Sequence, residues 1–302
     1  MQKNTLIRPD INLTADLLVH SQCLLGEGPF WYAEKKLCLW VDIENYRLFA
    51  YDWVSSSVRS WNFQHKPSLI IRDRSGQILL GMSEGIARFN VENGQLDWIV
   101  PLEPEQKDHR TNDGACDSAG RLWVGTMHDR CLEGEASLYC IGQDREPKKK
   151  LEKNSIPNGL VWSLDHTRMY YIDSPKQCVQ SFLFNANSGE IKYEKDIIQI
   201  PREMGAPDGM AIDTDGMLWI AIWDGSGVYR WDPSNGKCIG KIDVPAPHTT
   251  ACAFVGEELD HLFITSARQE LTKEELVEFP QSGDCFMVKP GVRGRPLNAC
   301  YL

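Results

Sequence analysis

The hydrophobic residues of this chain fall into short runs separated by polar turns, and none of the runs has the length and periodicity of a long helix. One pattern recurs, in which a turn is followed by an apolar residue, an aromatic or aliphatic pair, and a small or acidic residue. Its copies are LCLWVD from Leu37, ILLGMS from Ile78, LWVGTM from Leu122, MYYIDS from Met169, LWIAIW from Leu218 and LFITSA from Leu262. Successive copies begin 41, 44, 47, 49 and 44 residues apart. Such a period predicts four-stranded propeller blades, which take roughly 40 to 50 residues each.

Each copy has a strand-like segment on either side, and turn-forming pairs such as Ser75-Gly76, Asp215-Gly216 and Asn235-Gly236 separate these segments. The sequence therefore predicts an all-β fold, a single six-bladed β-propeller domain over residues 1–302. The predicted blades lie near residues 24–60, 67–100, 112–150, 156–200, 207–245 and 249–290. The remaining β-rich segment, residues 12–19, is expected to add a strand to the last blade and so close the ring.

The composition limits the classes of partner. The formal net charge is -10 and the only cluster of basic residues is Lys148 to Lys150, so neither nucleic acid nor an anionic membrane is an expected partner. Residues 1–20 carry charges and no long apolar run, which disfavours a signal peptide or membrane anchor. The ten cysteines never form a C-x-x-C pair, so no zinc cage or disulfide framework is predicted. A cytoplasmic monomer with reduced thiols is the expectation.

Polar residues recur where each predicted blade enters its first strand, the strand that lines the central channel of a propeller. These residues are Glu27, Ser68, Asn112, Asn158, Asp208 and either Thr249 or His248. Carboxylates and carboxamides that meet in a narrow channel need a positive partner, and an all-oxygen set suits a hard divalent cation. Ca²⁺, Mg²⁺, Mn²⁺, Fe²⁺ and Zn²⁺ all remain open. Taken singly, an Asn-Gly or Asp-Gly pair is more typical of an ordinary turn.

Four segments carry a resemblance to a known family. They are LLGEGPFW (24–31), RTNDGACDSAGRLWVGTM (110–127), IPNGLVWSLDHTRMYYID (156–173) and PDGMAIDTDGMLWIAIWDG (207–225). The chain resembles the senescence-marker-protein, gluconolactonase and luciferin-regenerating-enzyme family from about residue 16 to about residue 290, and this resemblance also implies a six-bladed propeller. It implies metal ligands at Glu27, Asn158 and Asp208, and substrate contacts at Arg110 and Asn112. An acidic substrate-binding residue of some members falls on Asp129 or Arg130, where this chain reads MHDRC.

The resemblance implies hydrolysis of a small sugar lactone, and a cation with three protein ligands keeps open positions for water and for the substrate carbonyl. Asp208 is then either the proton acceptor or only a ligand that steers a cation-bound hydroxide, and both alternatives stay open. Arg110 would hold substrate hydroxyls or the developing oxyanion, although a surface ion pair with Asp108 or Asp113 is the alternative. Two other functions stay open, namely hydrolysis of other small esters such as organophosphates and a non-enzymatic calcium-binding role. No G-x-S-x-G segment is present, which disfavours a serine esterase.

Overall fold

The computed structural model describes residues 11–302. These residues form twenty-five β-strands in six sheets, together with one short α-helix. The sheets are arranged as the six blades of a β-propeller, which confirms the predicted fold class. Within residues 11–302, no helix is long and apolar enough to cross a membrane.

Two strands precede the first blade, β1 (Ile11–Thr14) and β2 (Asp16–Val19). Blade one contains β3 (Gly26–Tyr32), β4 (Leu37–Asp42), β5 (Arg47–Asp52) and β6 (Val58–Asn62). Blade two contains β7 (Pro67–Arg72), β8 (Ile78–Met82), β9 (Gly85–Phe89) and β10 (Leu96–Pro101). Blade three contains β11 (His109–Cys116), β12 (Leu122–His128), β13 (Ala136–Ile141) and β14 (Pro147–Asn154).

Blade four contains β15 (Pro157–Trp162), β16 (Arg168–Asp173), β17 (Cys178–Asn185) and β18 (Glu190–Gln199). Blade five contains β19 (Ala206–Ile212), β20 (Leu218–Trp223), β21 (Gly227–Asp232) and β22 (Lys237–Asp243). Blade six contains β23 (Thr249–Val255), β24 (His261–Ser266) and β25 (Cys285–Val288). The helix α1 (Lys273–Glu278) lies between β24 and β25 and begins with a capping box at Thr272.

The first strand of each blade is the innermost, and each inner strand packs against the next one around the channel. The N-terminal segment is shared between two blades. Strand β2 pairs antiparallel with β25 and supplies the fourth strand of blade six. Strand β1 instead runs parallel to β22 and extends blade five, so the segment expected to add one strand to the last blade adds a strand to each of two blades. Both ends of the ring are thereby joined through backbone hydrogen bonds.

Buried aspartates fix the hairpins that connect inner strands to second strands. Asp73, Asp117 and Asp213 each accept backbone N–H groups from the residues two and four positions ahead. In blades three and five the second carboxylate oxygen also accepts the indole N–H of Trp123 or Trp219, at 2.9 Å. Because these carboxylates are almost completely buried, each bond is made in a medium of low polarity.

Large aromatic side chains fill the spaces between neighbouring blades. Edge-to-face pairs join blade three to blade four and blade five to blade six, namely Trp123 with Trp162 and Trp219 with Phe254. The indole of Trp40 contacts Phe263 in the same way and joins blade one to blade six. Such contacts between large apolar rings hold adjacent blades in a fixed orientation.

The last nine residues, 294–302, form a strap across one end of the channel. The strap begins beside blades five and six, where Gly294 bridges to Asp213. It ends on blades two and three, where the N–H of Cys300 donates to the carbonyl of Arg72 and the N–H of Tyr301 donates to that of Gly120. These partners lie at the downstream ends of the inner strands, so the strap covers the end of the channel opposite the residues that enter those strands.

Candidate active site

Every inner strand contains a register shift at the same height in the ring. The shifts lie between Glu27 and Phe30, Pro67 and Leu69, Thr111 and Gly114, Asn158 and Leu160, Pro207 and Met210, and Thr249 and Ala251. A bulge places extra residues of one strand opposite its partner and redirects their side chains. The six bulges therefore form a ring that presents the sequence-predicted polar residues at one end of the channel.

The two pairs predicted at the channel, Asn158-Gly159 and Asp208-Gly209, lie within inner strands β15 and β19 and not in turns. At Gly159 a Cβ atom would be 2.5 Å from the Cβ of Met210 on the next inner strand. At Gly209 a Cβ atom would be 2.5 Å from the Cβ of Ala251. Glycine after the polar residue thus lets neighbouring inner strands approach closely, and the alternative of ordinary turns does not hold here.

Two buried aspartates hold the chain where it enters the site. Asp42, the last residue of β4, accepts the N–H groups of Leu24 and Leu25, just before Glu27. Asp173, the last residue of β16, accepts the N–H groups of Ser155 and Ile156, just before Asn158. These bonds fix the backbone that carries two of the predicted ligands.

Three carboxyl groups come close enough at this end of the channel to interact. Burial raises the pKa of Glu27 to about 8, and the charge of Asp113 adds to the shift. Burial also raises the pKa of Asp113 to about 6. The pKa of Asp208 lies well above its ordinary value, first through burial and then through the charges of Glu27 and Asp113. Arg110 opposes the shift of both Glu27 and Asp208, but a single guanidinium does not neutralise three carboxylates.

A chain of hydrogen bonds crosses blades three, four and five beside the carboxyl groups. Arg110 donates from Nη1 to Oδ1 of Asn112 at 2.6 Å, and Asn112 donates from Nδ2 to Oδ1 of Asn158 at 2.8 Å. Asn158 donates to the hydroxyl of Ser174 at 2.7 Å, and Ser174 donates to the carbonyl of Pro207 at 2.6 Å. The side chain of Arg110 is 6% exposed, so the surface ion pair considered above is not formed. The chain fixes both amides in one orientation.

Asp129 lies at the rim of the same end of the channel. Its Oδ1 is 3.4 Å from Nε of Arg110 and 3.3 Å from Nζ of Lys66. The side chain keeps 36% of its surface exposed, in contrast to the buried Arg110. Of the two residues considered for this place, Asp129 contacts Arg110, whereas Arg130 is exposed and bonds the neighbouring His128 only through its backbone N–H.

Comparison with known proteins places this arrangement in a family. The family model described as the SMP-30/Gluconolactonase/LRE-like region matches residues 25–268. This chain belongs to the SMP-30/gluconolactonase/LRE-like family. The match spans all six blades and includes every sequence-predicted site residue.

Relatives of known name cover nearly the whole chain. YvrE of Bacillus subtilis (strain 168), a candidate sugar lactone lactonase by name, is 33% identical over 91% of this chain and 94% of its own length. Regucalcin of Gallus gallus is 32% identical over 90% of this chain and 93% of its own. A crystal structure of a calcium-binding protein, regucalcin from Agrobacterium tumefaciens str. C58, superposes with a TM-score of 0.92 at 27% identity, covering 98% of this chain and 100% of that one. Membership of the SMP-30/gluconolactonase/LRE-like family therefore supports a lactonase-type function, and the superposition supports the propeller fold.

Three of the polar residues predicted where the blades enter their inner strands do not contact the carboxyl groups. Ser68 shares a hydrogen bond with Thr111 at 2.7 Å inside the channel wall, and Thr249 donates to the carbonyl of Ala246. His248 stacks on Trp223 with 4.0 Å between ring centroids and bonds outward to Asp224. Blades two and six thus contribute wall contacts, while the polar groups at the centre come from blades one, three, four and five.

Asp113 is the site residue that the sequence comparison missed. The repeat predicts one polar residue at the start of each inner strand, and in blade three that residue is Asn112. The bulge between Thr111 and Gly114 instead presents two consecutive residues to the channel side of the strand. The only signal in the sequence was a second acidic residue between Asn112 and a glycine.

Below the carboxyl groups the channel continues as a cavity of about 170 Å³. Glu27 and Asp113 line its upper end, the middle is mostly apolar, and residues 295–298 of the strap form its lower end. The carboxyl groups are therefore in contact with an apolar interior on one side, which is the physical source of their raised pKa values.

The donor set fits a hard divalent cation. Glu27 and Asp208 supply carboxylate oxygens, and Oδ1 of Asn158 keeps a lone pair beyond the one used by Asn112. Within residues 11–302, no three side chains of His, Cys, Asp and Glu form a metal cluster. The predicted set instead combines two carboxylates with one amide oxygen. Burial is the first cause of the raised pKa values of Glu27 and Asp208, and a cation here would offset both the burial of their charge and the repulsion that adds to it.

Proposed function

We propose that this protein hydrolyses a sugar lactone to the open aldonic acid with the help of one divalent cation, as a step in carbohydrate breakdown. The observation that supports this most is the convergence of three interacting carboxyl groups with the Arg110–Asn112–Asn158 hydrogen-bond chain at one end of the channel. Burying mutually repelling carboxylates costs stability, which favours a binding or catalytic role over a purely structural one. The Arg110–Asn112–Asn158 chain beside them favours a substrate over a cation alone.

Glu27, Asn158 and Asp208 would hold the cation. When bound, it would polarise the substrate carbonyl and make a nearby water more acidic. A relative supports the involvement of a divalent cation, since the Agrobacterium regucalcin is named a calcium-binding protein. Calcium is accordingly the first candidate among the divalent ions that an all-oxygen set accepts.

We assign proton acceptance to Asp208. The attacking water forms a bond to the lactone carbonyl carbon and gives its proton to this carboxylate. The bond from that carbon to the ring oxygen then breaks, and Asp208 passes the proton to the ring oxygen. Asp113 interacts with Asp208 from blade three and is the second carboxylate able to hold a proton, near its raised pKa of about 6.

Arg110, Asn112 and Asp129 would bind the substrate. Arg110 is permanently charged and buried, so it favours the negative charge that develops on the carbonyl oxygen. Asn112 donates and accepts, and the exposed carboxylate of Asp129 accepts from ring hydroxyls. Sugar lactones offer both a carbonyl and several hydroxyls, which matches this set of groups better than an organophosphate does.

A panel of glucono-, galactono-, xylono- and arabinono-lactones tests the proposal. Hydrolysis is followed by a pH indicator, with chelated protein to which Ca²⁺, Mg²⁺, Mn²⁺, Fe²⁺ or Zn²⁺ is restored one at a time. Cation-dependent turnover that Asp208→Asn abolishes, and that the surface variant Glu92→Gln retains, would support it. Cation binding without turnover of any lactone or simple ester would favour a calcium-binding role instead.

A further inference from the structure

A partly buried lysine, Lys66, lies at the rim of the proposed active site and comes from blade two, which supplies no other group to that rim. Lys66 lies just before β7 of blade two, and its side chain is 14% exposed. Its Nζ is 3.1 Å from the carboxylate of Glu44 and 3.3 Å from Oδ1 of Asp129. Successive ion pairs therefore link blades one, two and three, with charges of alternating sign in the order Glu44, Lys66, Asp129 and Arg110.

The two cations approach the same oxygen of Asp129. Nζ of Lys66 and Nε of Arg110 both face Oδ1, from 3.3 and 3.4 Å. Among residues 11–302 both contacts to Oδ1 are ion pairs without hydrogen-bond geometry, and Oδ2 receives no hydrogen bond; the side chain is 36% exposed at the rim. The backbone N–H of Asp129 donates to the carbonyl of Asp108 at 2.8 Å, which holds the loop in place. One carboxylate oxygen thus lies between two cationic groups, and the other is left to accept from a ligand.

We propose that Lys66 is a specificity-determining positioning residue, which orients Asp129 so that its free oxygen binds a hydroxyl group of the substrate. The inference rests on the proposed lactonase function. It states that the rim residue Asp129 recognises a hydroxyl group of the lactone and not its reacting carbonyl. Lys66 acts through Asp129 and does not touch the reacting atoms.

Two contacts restrict Lys66 to this role. Its backbone N–H donates to the hydroxyl of Ser83 at 3.2 Å, and the following Pro67 fixes the chain at the start of the inner strand. The bond to Glu44 at 3.1 Å orients the ammonium group from the other side. Because its stem is buried, Lys66 loses little further freedom when it bonds Asp129, unlike an exposed lysine.

The test compares a hydroxylated lactone with one that lacks hydroxyls, glucono-δ-lactone with δ-valerolactone, in the cation-loaded protein. Lys66→Met should raise the KM for the hydroxylated lactone about tenfold with little change in kcat, the effect of one charge-assisted bond. It should leave the KM for δ-valerolactone unchanged, and Lys66→Arg should restore much of the loss. An equal effect on both lactones, or none on either, would overturn the proposal.

A double-mutant cycle separates positioning from a structural role. In the Asp129→Asn background, Lys66→Met should add no further rise in KM for the hydroxylated lactone, because its effect passes through Asp129. Additive losses would contradict this. Lys148→Met is the matched control, since its ammonium pairs with Asp144 at 2.7 Å on the surface, and it should not alter the selectivity between lactones.

Failure of the inference is distinguishable from failure of the proposed function. If the wild-type protein opens neither lactone with any divalent cation, the lactonase proposal fails. In that case binding of glucono-δ-lactone, measured calorimetrically for wild type and Lys66→Met, still reports on Asp129, and equal affinities would reject the role of Lys66. If wild type is active and selectivity is unaffected in both Lys66 variants, only the role of Lys66 is wrong.

Discussion

Replacing Glu27 by glutamine should stabilise the cation-free protein while abolishing its response to a divalent cation. The pKa of Glu27 is raised by burial and by Asp113 to about 8. The folded state therefore prefers the protonated form, and stability is lost as the pH rises from the ordinary value near 4.5 through 8. Glutamine has nearly the same shape and carries no charge at any pH.

The size of the effect follows from the same pKa. A rise from 4.5 to about 8 corresponds to a ceiling of ~5 kcal/mol at pH 8, at about 1.4 kcal/mol for each tenfold change in proton affinity. Glu27 interacts with Asp113 and Asp208, so these carboxyl groups titrate together, and the local structure can also relax. Both effects reduce the increase in the free energy of unfolding, and we expect about 2 kcal/mol for Glu27→Gln. For a protein of 302 residues that corresponds to a rise in Tm of roughly 3 °C.

The assay is thermal unfolding of chelated protein between pH 5 and 8, with and without a restored divalent cation. Wild type should lose Tm as the pH rises, and the cation should remove that loss, whereas Glu27→Gln should show a shallower pH dependence and little response to the cation. Glu92→Gln, an exposed control, should behave as wild type. A variant that is less stable than wild type at pH 8 without cation, or one that the cation stabilises as strongly as wild type, would refute the reasoning.

Three further perturbations have expected outcomes. Asp113→Asn removes a carboxylate next to the ligand set and should weaken cation affinity about tenfold in calorimetric titration, and an unchanged Kd would exclude its electrostatic role. Gly294→Val would place its Cβ 2.1 Å from that of Phe254 and should cost ~2 kcal/mol in denaturant unfolding; wild-type stability would show that the strap is not packed as described. Asp213→Asn deprives a buried guanidinium and a buried indole N–H of their charged acceptor and should cost about 3 kcal/mol. A loss below about 0.5 kcal/mol would contradict that account, since this is the ordinary range of surface substitutions.

The blades were predictable because their signal is local and repeated. Six apolar runs at regular spacing, each followed by a turn pair, specify the hairpins, and the buried aspartates before Gly120 and Gly216 lie in the same turns. The fold class and the family are both confirmed. In contrast, the strap lies in the last residues, which carry no periodic pattern, and its partners Leu259, Asp213 and Arg72 lie on three different blades.

The site was predictable only in part. Glu27, Asn112, Asn158 and Asp208 enter their inner strands at one height, as the repeat implies, and their roles stay predictions. Asp113 was missed because a bulge presents two residues where a regular strand presents one. The contact of Lys66 with Asp129 joins two blades, and no spacing along the chain encodes it.

The central claim is that one divalent cation held among Glu27, Asn158 and Asp208 supports the opening of a sugar lactone. It is tested most directly by titrating chelated protein with Ca²⁺, and in parallel with Mn²⁺ and Zn²⁺, while the initial rate of glucono-δ-lactone hydrolysis is recorded. For at least one ion the rate should rise linearly and level off at one equivalent per chain, and Asn158→Ala should shift the titration to higher concentrations. Hydrolysis that persists at full rate in the chelated protein, or saturation of the site by each ion without any hydrolysis, would contradict the account.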